Sequence, residues 1–248
     1  MNTLISFVVD ELKKLFYQTK TKILFALSVL IVLAIGIGSF LINSNVGVQM
    51  VSPERFPIFV LEILTGFVLP ILTIFIGSEL LSSEFKDTTI KNLFALPVSK
   101  SIIYIGKVLS GAVEIGVYLF IIGISSMTVS VAMSGPQAFG NLGGFIVSYL
   151  GVFIYLIMIL IIASFVSLLV SSSGLAIVTN LFVWFGIGAV AMFFSNIKQF
   201  LPTTFASWYK PVVNGVNMTL ALPPILYMIS YCVIFMIVGL NIFERKEV

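Results

Sequence analysis

Six long apolar blocks, separated by shorter polar stretches, run along the chain. They cover approximately residues 23–42, 58–81, 108–133, 142–170, 175–194 and 223–243. Each block is close to, or longer than, the roughly 20 residues that an α-helix needs to cross a bilayer. Backbone groups without a hydrogen bond are costly in hydrocarbon, so each block is predicted to be a membrane-spanning helix. The pattern therefore predicts an all-α, polytopic membrane protein in which residues 1–248 form one transmembrane domain.

Glycine and proline mark special positions in the first two predicted spans. Gly36 and Gly38 lack side chains and would allow close helix contact in the first span. Pro70 lies near the middle of the second span, where a proline is expected to kink the helix.

The fourth and fifth predicted spans are joined by a very short turn, residues 171–174. Two helices joined in this way must be antiparallel neighbours. Ala163, Ser167 and Ser171 recur every fourth residue at the end of the fourth span. This spacing predicts a small-residue face for tight helix packing.

The first 22 residues predict an amphipathic helix in front of the first span. Its apolar face holds Ile5, Val8, Leu12, Leu15 and Phe16, and its polar face holds Asp10, Glu11, Lys13, Lys14 and Gln18. Basic residues beside aromatic ones suit a helix in the lipid headgroup plane. Residues 1–22 are therefore expected to lie on the membrane surface, and packing on a soluble partner is the alternative.

Residues 195–222 are apolar but too interrupted to form a span. Pro202 and Pro211 break the segment, and Trp208 and Tyr209 lie between them. Tryptophan and tyrosine favour the membrane–water interface. We expect an extracellular segment that is half sunk in this interface.

The longest charged interruption, residues 82–107, predicts two helices of its own. Asp87 can cap a first short helix, and Pro97 ends it. Ile90, Leu93, Phe94 and Leu96 fall near one face of this helix, with Lys91 and Asn92 turned away. Ser99 can cap a second helix that continues into the third span. The short helix has two interpretations, a docking element or a connector buried in headgroups.

Lysine and arginine are distributed unequally between the two sides that six spans define. With the N-terminus inside, the inner side holds 10 of them: Lys13, Lys14, Lys20, Lys22, Lys86, Lys91, Lys100, Lys107, Arg245 and Lys246. The outer side holds 3: Arg55, Lys198 and Lys210. The positive-inside rule therefore predicts that both termini and residues 82–107 are cytosolic.

Composition excludes several functional classes. Hydrophobic residues make up 59% of the chain and charged residues only 9%, whereas a soluble domain carries about 25% charge. The chain has no histidine, which excludes His-based zinc sites and Ser-His-Asp triads. Its single cysteine, Cys232, cannot form an intrachain disulfide. No G-x-x-x-x-G-K-[ST] motif occurs, so energy from ATP must come from a partner.

Three acidic residues fall inside predicted spans: Glu62, Glu79 and Glu114. Ionised groups there cost several kcal/mol unless they are paired or hydrated. Glu62 and Glu114 are candidates for a path that accepts a cationic part of a substrate. The alternative is that all three lie near enough to an interface to reach water or a lysine, with Glu79 and Lys107 a natural pair.

The central stretch resembles the cytosolic loop of the type 2 ABC exporter permeases. The similar residues are Glu84, Thr88 or Thr89, Leu93, Leu96, Pro97, Val98, Ser99, Lys100 and Lys107. In that family the loop follows the second span, and the span layout here is similar along nearly the whole chain. This sequence departs from the pattern at Asp87, at Phe94 with Ala95, and at Lys100, where glycine, aliphatic residues and arginine are usual.

The resemblance implies that the loop forms a coupling helix seated in a groove of a separate ATPase subunit. Its contact residues would be Glu84, Asp87, Thr88, Ile90, Leu93, Phe94, Leu96 and Pro97. It also implies short re-entrant helices within residues 195–222. Two ATPase subunits that bind Mg-ATP and a second permease subunit, expected to be identical, would complete the complex.

The function expected from these observations is that of a non-catalytic permease subunit in the plasma membrane of a bacterial cell. It would export amphipathic or hydrophobic cargo, such as a peptide toxin, an antimicrobial peptide or an antibiotic, and it needs no cofactor or nucleic acid. An ion-coupled secondary carrier that uses Glu62 and Glu114 is the alternative, but we find no paired broken helices in inverted halves. An intramembrane enzyme is disfavoured by the missing histidines.

Overall fold

The computed structural model describes residues 2–46, 51–86, 98–170, 172–215 and 218–245. Within these ranges the regular structure is helical, without strands. The α-helices are α1 (Asn2–Tyr17), α2 (Thr19–Val46), α3 (Phe56–Gly66), α4 (Val68–Lys86), α5 (Lys100–Ser134), α6 (Leu142–Leu168), α7 (Ser173–Phe193), α8 (Lys210–Val213) and α9 (Leu222–Arg245). Short 3-10 helices cover Pro53–Arg55, Gly135–Asn141, Lys198–Phe200, Pro202–Ser207 and Met218–Ala221.

Four helical stretches of the described chain are long and apolar enough to cross a membrane. They are Thr19–Ile42, Lys100–Leu168, Ser173–Phe193 and Thr219–Arg245, and the bent pair α3 and α4 makes a fifth if it counts as one span. The stretch Lys100–Leu168 contains both α5 and α6. These two helices form an antiparallel hairpin, because Gly116 faces Phe153 and Gly123 faces Tyr149.

The bend between α3 and α4 is displaced from its predicted position. The two helices meet at 55°, and the break falls at Phe67 rather than at Pro70. Pro70 is the third residue of α4, where its missing N–H leaves no helical hydrogen bond unmade. Its ring would clash with the carbonyl of Gly66, four residues earlier, if the helix continued. The proline therefore ends the preceding helix, and the kink appears before it.

The centre of the bundle is the close contact between α4 and α6. A Cβ atom added at Gly77 would lie 2.8 Å from the Cβ of Ala163. The Ser167 hydroxyl points to the Gly77 carbonyl at 3.4 Å. The small-residue face predicted for Ala163 and Ser167 is thus confirmed, while Ser171 lies outside the described residues.

Helix α7 is tied to this centre by one buried polar side chain. Asn180 donates from Nδ2 to the Ser78 hydroxyl at 2.9 Å and to the Ala163 carbonyl at 3.1 Å. Asn180 is thereby bonded to α4 and to α6. These contacts place α7 beside α6, as the short turn between them predicts.

Helix α1 packs on α5, with one difference from the predicted faces. The Phe7 ring lies against Gly106, where an added Cβ would be 2.5 Å from a ring carbon. Glu11 was assigned to the outward polar face, and this is wrong: its carboxylate contacts the buried Lys107 of α5 at 3.2 Å. Ile5, assigned to the apolar face, is exposed. The lysine in α5 draws Glu11 inward because a buried ammonium needs a counterion.

We predict that Gly77→Ala lowers the thermal midpoint of the purified protein. The new methyl group would force α4 and α6 apart, and overpacking of this kind costs about 1–3 kcal/mol. The matched control is Gly38→Ala, because nothing lies within 4 Å of a Cβ at that helical glycine. Equal midpoints for the two variants would show that the Gly77 contact does not determine stability.

Candidate functional site

One stem of the predicted coupling loop, the start of α5, contacts the end of α9. Ser99 caps α5 as predicted, since its side chain accepts from the Ile102 N–H at 3.4 Å. Lys100 donates to the Glu244 carbonyl near the end of α9 at 3.0 Å. The hydroxyl of Ser101 also bonds the Glu244 carboxylate. The start of α5 and the end of α9 are therefore joined beside the loop.

The predicted contact residues of the loop remain a prediction. Glu84 lies in α4, where the structure describes its backbone alone. The others lie outside the described residues: Asp87, Thr88, Ile90, Leu93, Phe94, Leu96 and Pro97.

Two ion pairs link the stems of the loop to the N-terminal helices. Lys20, at the start of α2, contacts Glu79 of α4 at 2.7 Å. Lys107 of α5, which is only 1% exposed, contacts Glu11 of α1. Glu79 was expected to pair with Lys107. In the structure, Glu79 contacts Lys20 and Lys107 contacts Glu11. Glu79 and Lys107 both line one small cavity of about 60 Å³. Sequence reasoning missed Glu11 and Lys20 as partners, because they are distant along the chain.

Glu114 lies on the wall of the same cavity, inside the bundle. It is 3% exposed, and the Thr21 hydroxyl is 3.5 Å from its carboxylate. Within the described chain no ion pair reaches it. Ser126, further along α5, contacts the Tyr149 hydroxyl at 3.1 Å. Glu114 is thus covered by α2, and the described structure does not bring it together with Glu62.

Glu62 lies at the opposite end, in a partly exposed pocket. Its carboxylate contacts Lys210 at 3.1 Å, and the two side chains are 37% and 43% exposed. The pocket has a volume of about 370 Å³, and its polar lining residues include Glu54, Arg55, Asn141 and Asn214. Burial, helped by the nearby Glu62 carboxylate, raises the pKa of Tyr209 in the pocket wall, so its phenol stays neutral.

The two charged sites are separated by approximately the thickness of a bilayer. Lys107 lies near the start of α5, whereas Ser130, close to its end, bonds the carbonyl of Pro53 beside the Glu62 pocket. At about 1.5 Å per residue, these two positions are about 35 Å apart along the helix. The hydrocarbon core of a bilayer is about 30 Å thick.

The segment that carries Lys210 is anchored in the bundle by its aromatic residues. Trp208 donates from Nε1 to the Gly151 carbonyl of α6 at 2.9 Å. Tyr209 is buried, and a Cβ at Gly151 would lie 2.6 Å from the Tyr209 Cβ. Gly151 is the tenth residue of α6, so the segment folds back onto the helix well below its first turn.

These features define a multi-pass membrane protein with charged sites at both ends of a helical bundle. The sequence model of the family described as ABC-2 family transporter protein matches residues 8–248. The chain therefore belongs to the ABC-2 transporter family, which confirms the family resemblance seen in the sequence. The members are membrane components of ABC transporters, and the family implies an ABC ATPase as partner. A comparison with curated proteins gives no match.

We predict that Glu11→Gln destabilises the protein. The substitution removes a carboxylate from the buried Lys107, and loss of one partner of a buried pair costs about 3 kcal/mol. Asp10→Asn is the control, because Asp10 pairs on the same helix with Lys13 at 3.4 Å in an exposed position. Thermal unfolding in detergent compares the two variants. A midpoint for Glu11→Gln as high as that for Asp10→Asn would contradict the prediction.

Proposed function

We propose that this chain is the membrane-spanning permease subunit of an ATP-driven ABC exporter. The observation that supports it most is the family match over residues 8–248. Because the sequence has no P-loop, ATP hydrolysis belongs to the partner. The proposed layout has six crossings: α2, the bent pair α3 and α4, α5, α6, α7 and α9.

In the proposed orientation, the end with the Lys20–Glu79 and Lys107–Glu11 pairs faces the cytosol. Both termini and residues 82–107 then lie on the side of the ATPase. The charge asymmetry of 10 against 3 supports this orientation. The Glu62 pocket and residues 195–222 then face the outside, with the Trp208–Tyr209 segment re-entering the bundle.

The proposed complex contains two permease subunits, as a homodimer, and two ATPase subunits that bind Mg-ATP. Closure of the ATPases would push on the helix at residues 87–96 and tilt the bundle. The stems of the loop are bonded to the rest of the protein: α4 to α2 by Lys20–Glu79, and α5 to α1 by Lys107–Glu11. Movement of the loop would therefore be passed to α1 and α2 as well as to its own stems.

The proposed cargo is a cationic amphipathic molecule, with an antimicrobial peptide, a peptide toxin or an antibiotic as the main examples. A role in export of, or resistance to, such compounds follows from that assignment. Glu62 has a partly exposed carboxylate that could bind the cationic part of the cargo. Glu114 is buried, so cargo would reach it only if α2 moved away from α5. The apolar walls of the bundle suit the other face of the molecule. The family match does not favour the alternative of an ion-coupled carrier.

Leu93→Asp is expected to abolish co-purification with the ATPase. The charge would be buried in the proposed contact, at a cost of a few kcal/mol. Asn92→Asp is the matched control, since it adds the same charge to the face turned away. Both variants should insert normally into the membrane. A complex that assembles with Leu93→Asp would contradict the docking role and leave the helix as an interfacial connector.

Glu62→Gln and Glu114→Gln test the cargo. Each keeps the side-chain shape and removes a charge, so each should weaken stimulation by cationic cargo more than by neutral cargo. The measurement is ATPase activity of the reconstituted complex with a cationic amphipathic peptide and with the same peptide carrying glutamine for lysine. An equal loss of stimulation for both peptides would indicate a structural role. No loss of stimulation would show that the residue does not line the cargo path.

A further inference from the structure

The short helix α8 is less buried than Tyr209, the residue that precedes it. No residue of α8 is buried, and it is followed by Gly215 in the left-handed region, at φ 68°. The preceding Tyr209 is buried against Gly151, and Trp208 is hydrogen-bonded to the same residue. Residues 210–214 therefore form a partly buried turn, held less firmly than Tyr209 although Val213 packs against the core, between this anchor and Gly215.

This turn lies over the Glu62 pocket. Lys210, Val213 and Asn214 form one wall of the pocket, and Ile58 and Glu62 of α3 are part of the opposite wall. A cavity of about 370 Å³ is large enough for several water molecules or for part of a larger molecule. Access to the pocket thus depends on the position of the turn.

The ion pair between Lys210 and Glu62 joins the two walls. Both side chains are partly exposed, and exposed ion pairs contribute little to stability. The contacts of the buried Tyr209 and the partly buried Trp208 are stronger, because they exclude water and include a hydrogen bond. Separation at the Lys210–Glu62 contact is therefore much easier than separation at the anchor.

We propose that residues 210–214 form a lid over the pocket, held closed by the Lys210–Glu62 ion pair. The lid opens by rotation between the Tyr209 anchor and Gly215, whose conformation costs a glycine nothing. Opening exposes the α3 wall at the end of the bundle opposite the coupling loop. A role in cargo release rests on the proposed function, whereas the lid itself does not.

A cysteine reporter tests the lid in the purified permease, without ATPase or cargo. Ile58→Cys in a Cys232→Ser background places a thiol at a buried position of the α3 wall. Its labelling rate with a bulky charged maleimide measures how often the lid is open. Adding Lys210→Met should raise the rate about two- to fivefold, the range that an exposed ion pair supplies. Lys198→Met, at an exposed lysine of the same segment, should leave it unchanged.

Reversing both charges, Glu62→Lys with Lys210→Glu, should return the rate to that of the parent. Raised salt should speed labelling of the parent, because salt screens exposed pairs, but not of Lys210→Met. This salt comparison uses the unaltered pair and decides the question even if a variant folds poorly. An unchanged rate in Lys210→Met together with no salt effect in the parent would overturn the proposal. So would a reversed pair that labels as fast as Lys210→Met.

Discussion

The close approach of α4 to α6 at Gly77 is the contact on which the rest of the bundle depends. Helices in a membrane gain little from hydrophobic burial against each other, because lipid is as apolar as their side chains. Their association relies on close approach of the backbones and on hydrogen bonds. Gly77 and Ala163 allow the backbones of α4 and α6 to approach closely. Asn180 of α7 adds hydrogen bonds to both helices. Three helices are thereby fixed around one polar contact.

The ion pairs are compatible with this apolar bundle because they lie near its ends. Lys107 is buried, yet Glu11 lies within 3.2 Å of its ammonium group. Glu62 and Lys210 form the corresponding pair at the other end and remain partly exposed. One end thus has a buried ion pair beside the partly exposed Lys20–Glu79 pair, and the other end has the partly exposed Glu62–Lys210 pair. This difference would suit the proposed function, in which the ATPase pushes on one end of the bundle and the other end opens.

The positions of the helices could be predicted closely from sequence, because hydropathy and capping act locally. Ser99 and Ser172 begin α5 and α7 where their side chains can accept from the backbone. The kink was displaced because a proline disrupts the turn before it. The ion pairs were harder to predict from the sequence, because their partners are far apart along the chain. Lys20 and Glu79 are 59 residues apart, and Lys107 and Glu11 are 96 residues apart. Which lysine meets which glutamate is decided by helix packing.

The bend between α3 and α4 has a consequence for the bilayer in which the protein is embedded. Residues 68–81 of α4, which precede the proposed cytosolic loop, are about 21 Å long and thus shorter than a hydrocarbon core of about 30 Å. Helix α3, with 11 residues and a 55° tilt, adds only about 9 Å along the same axis. A straight helix of the same residues would be about 7 Å taller. The bend therefore matches a long apolar stretch to a bilayer of ordinary thickness.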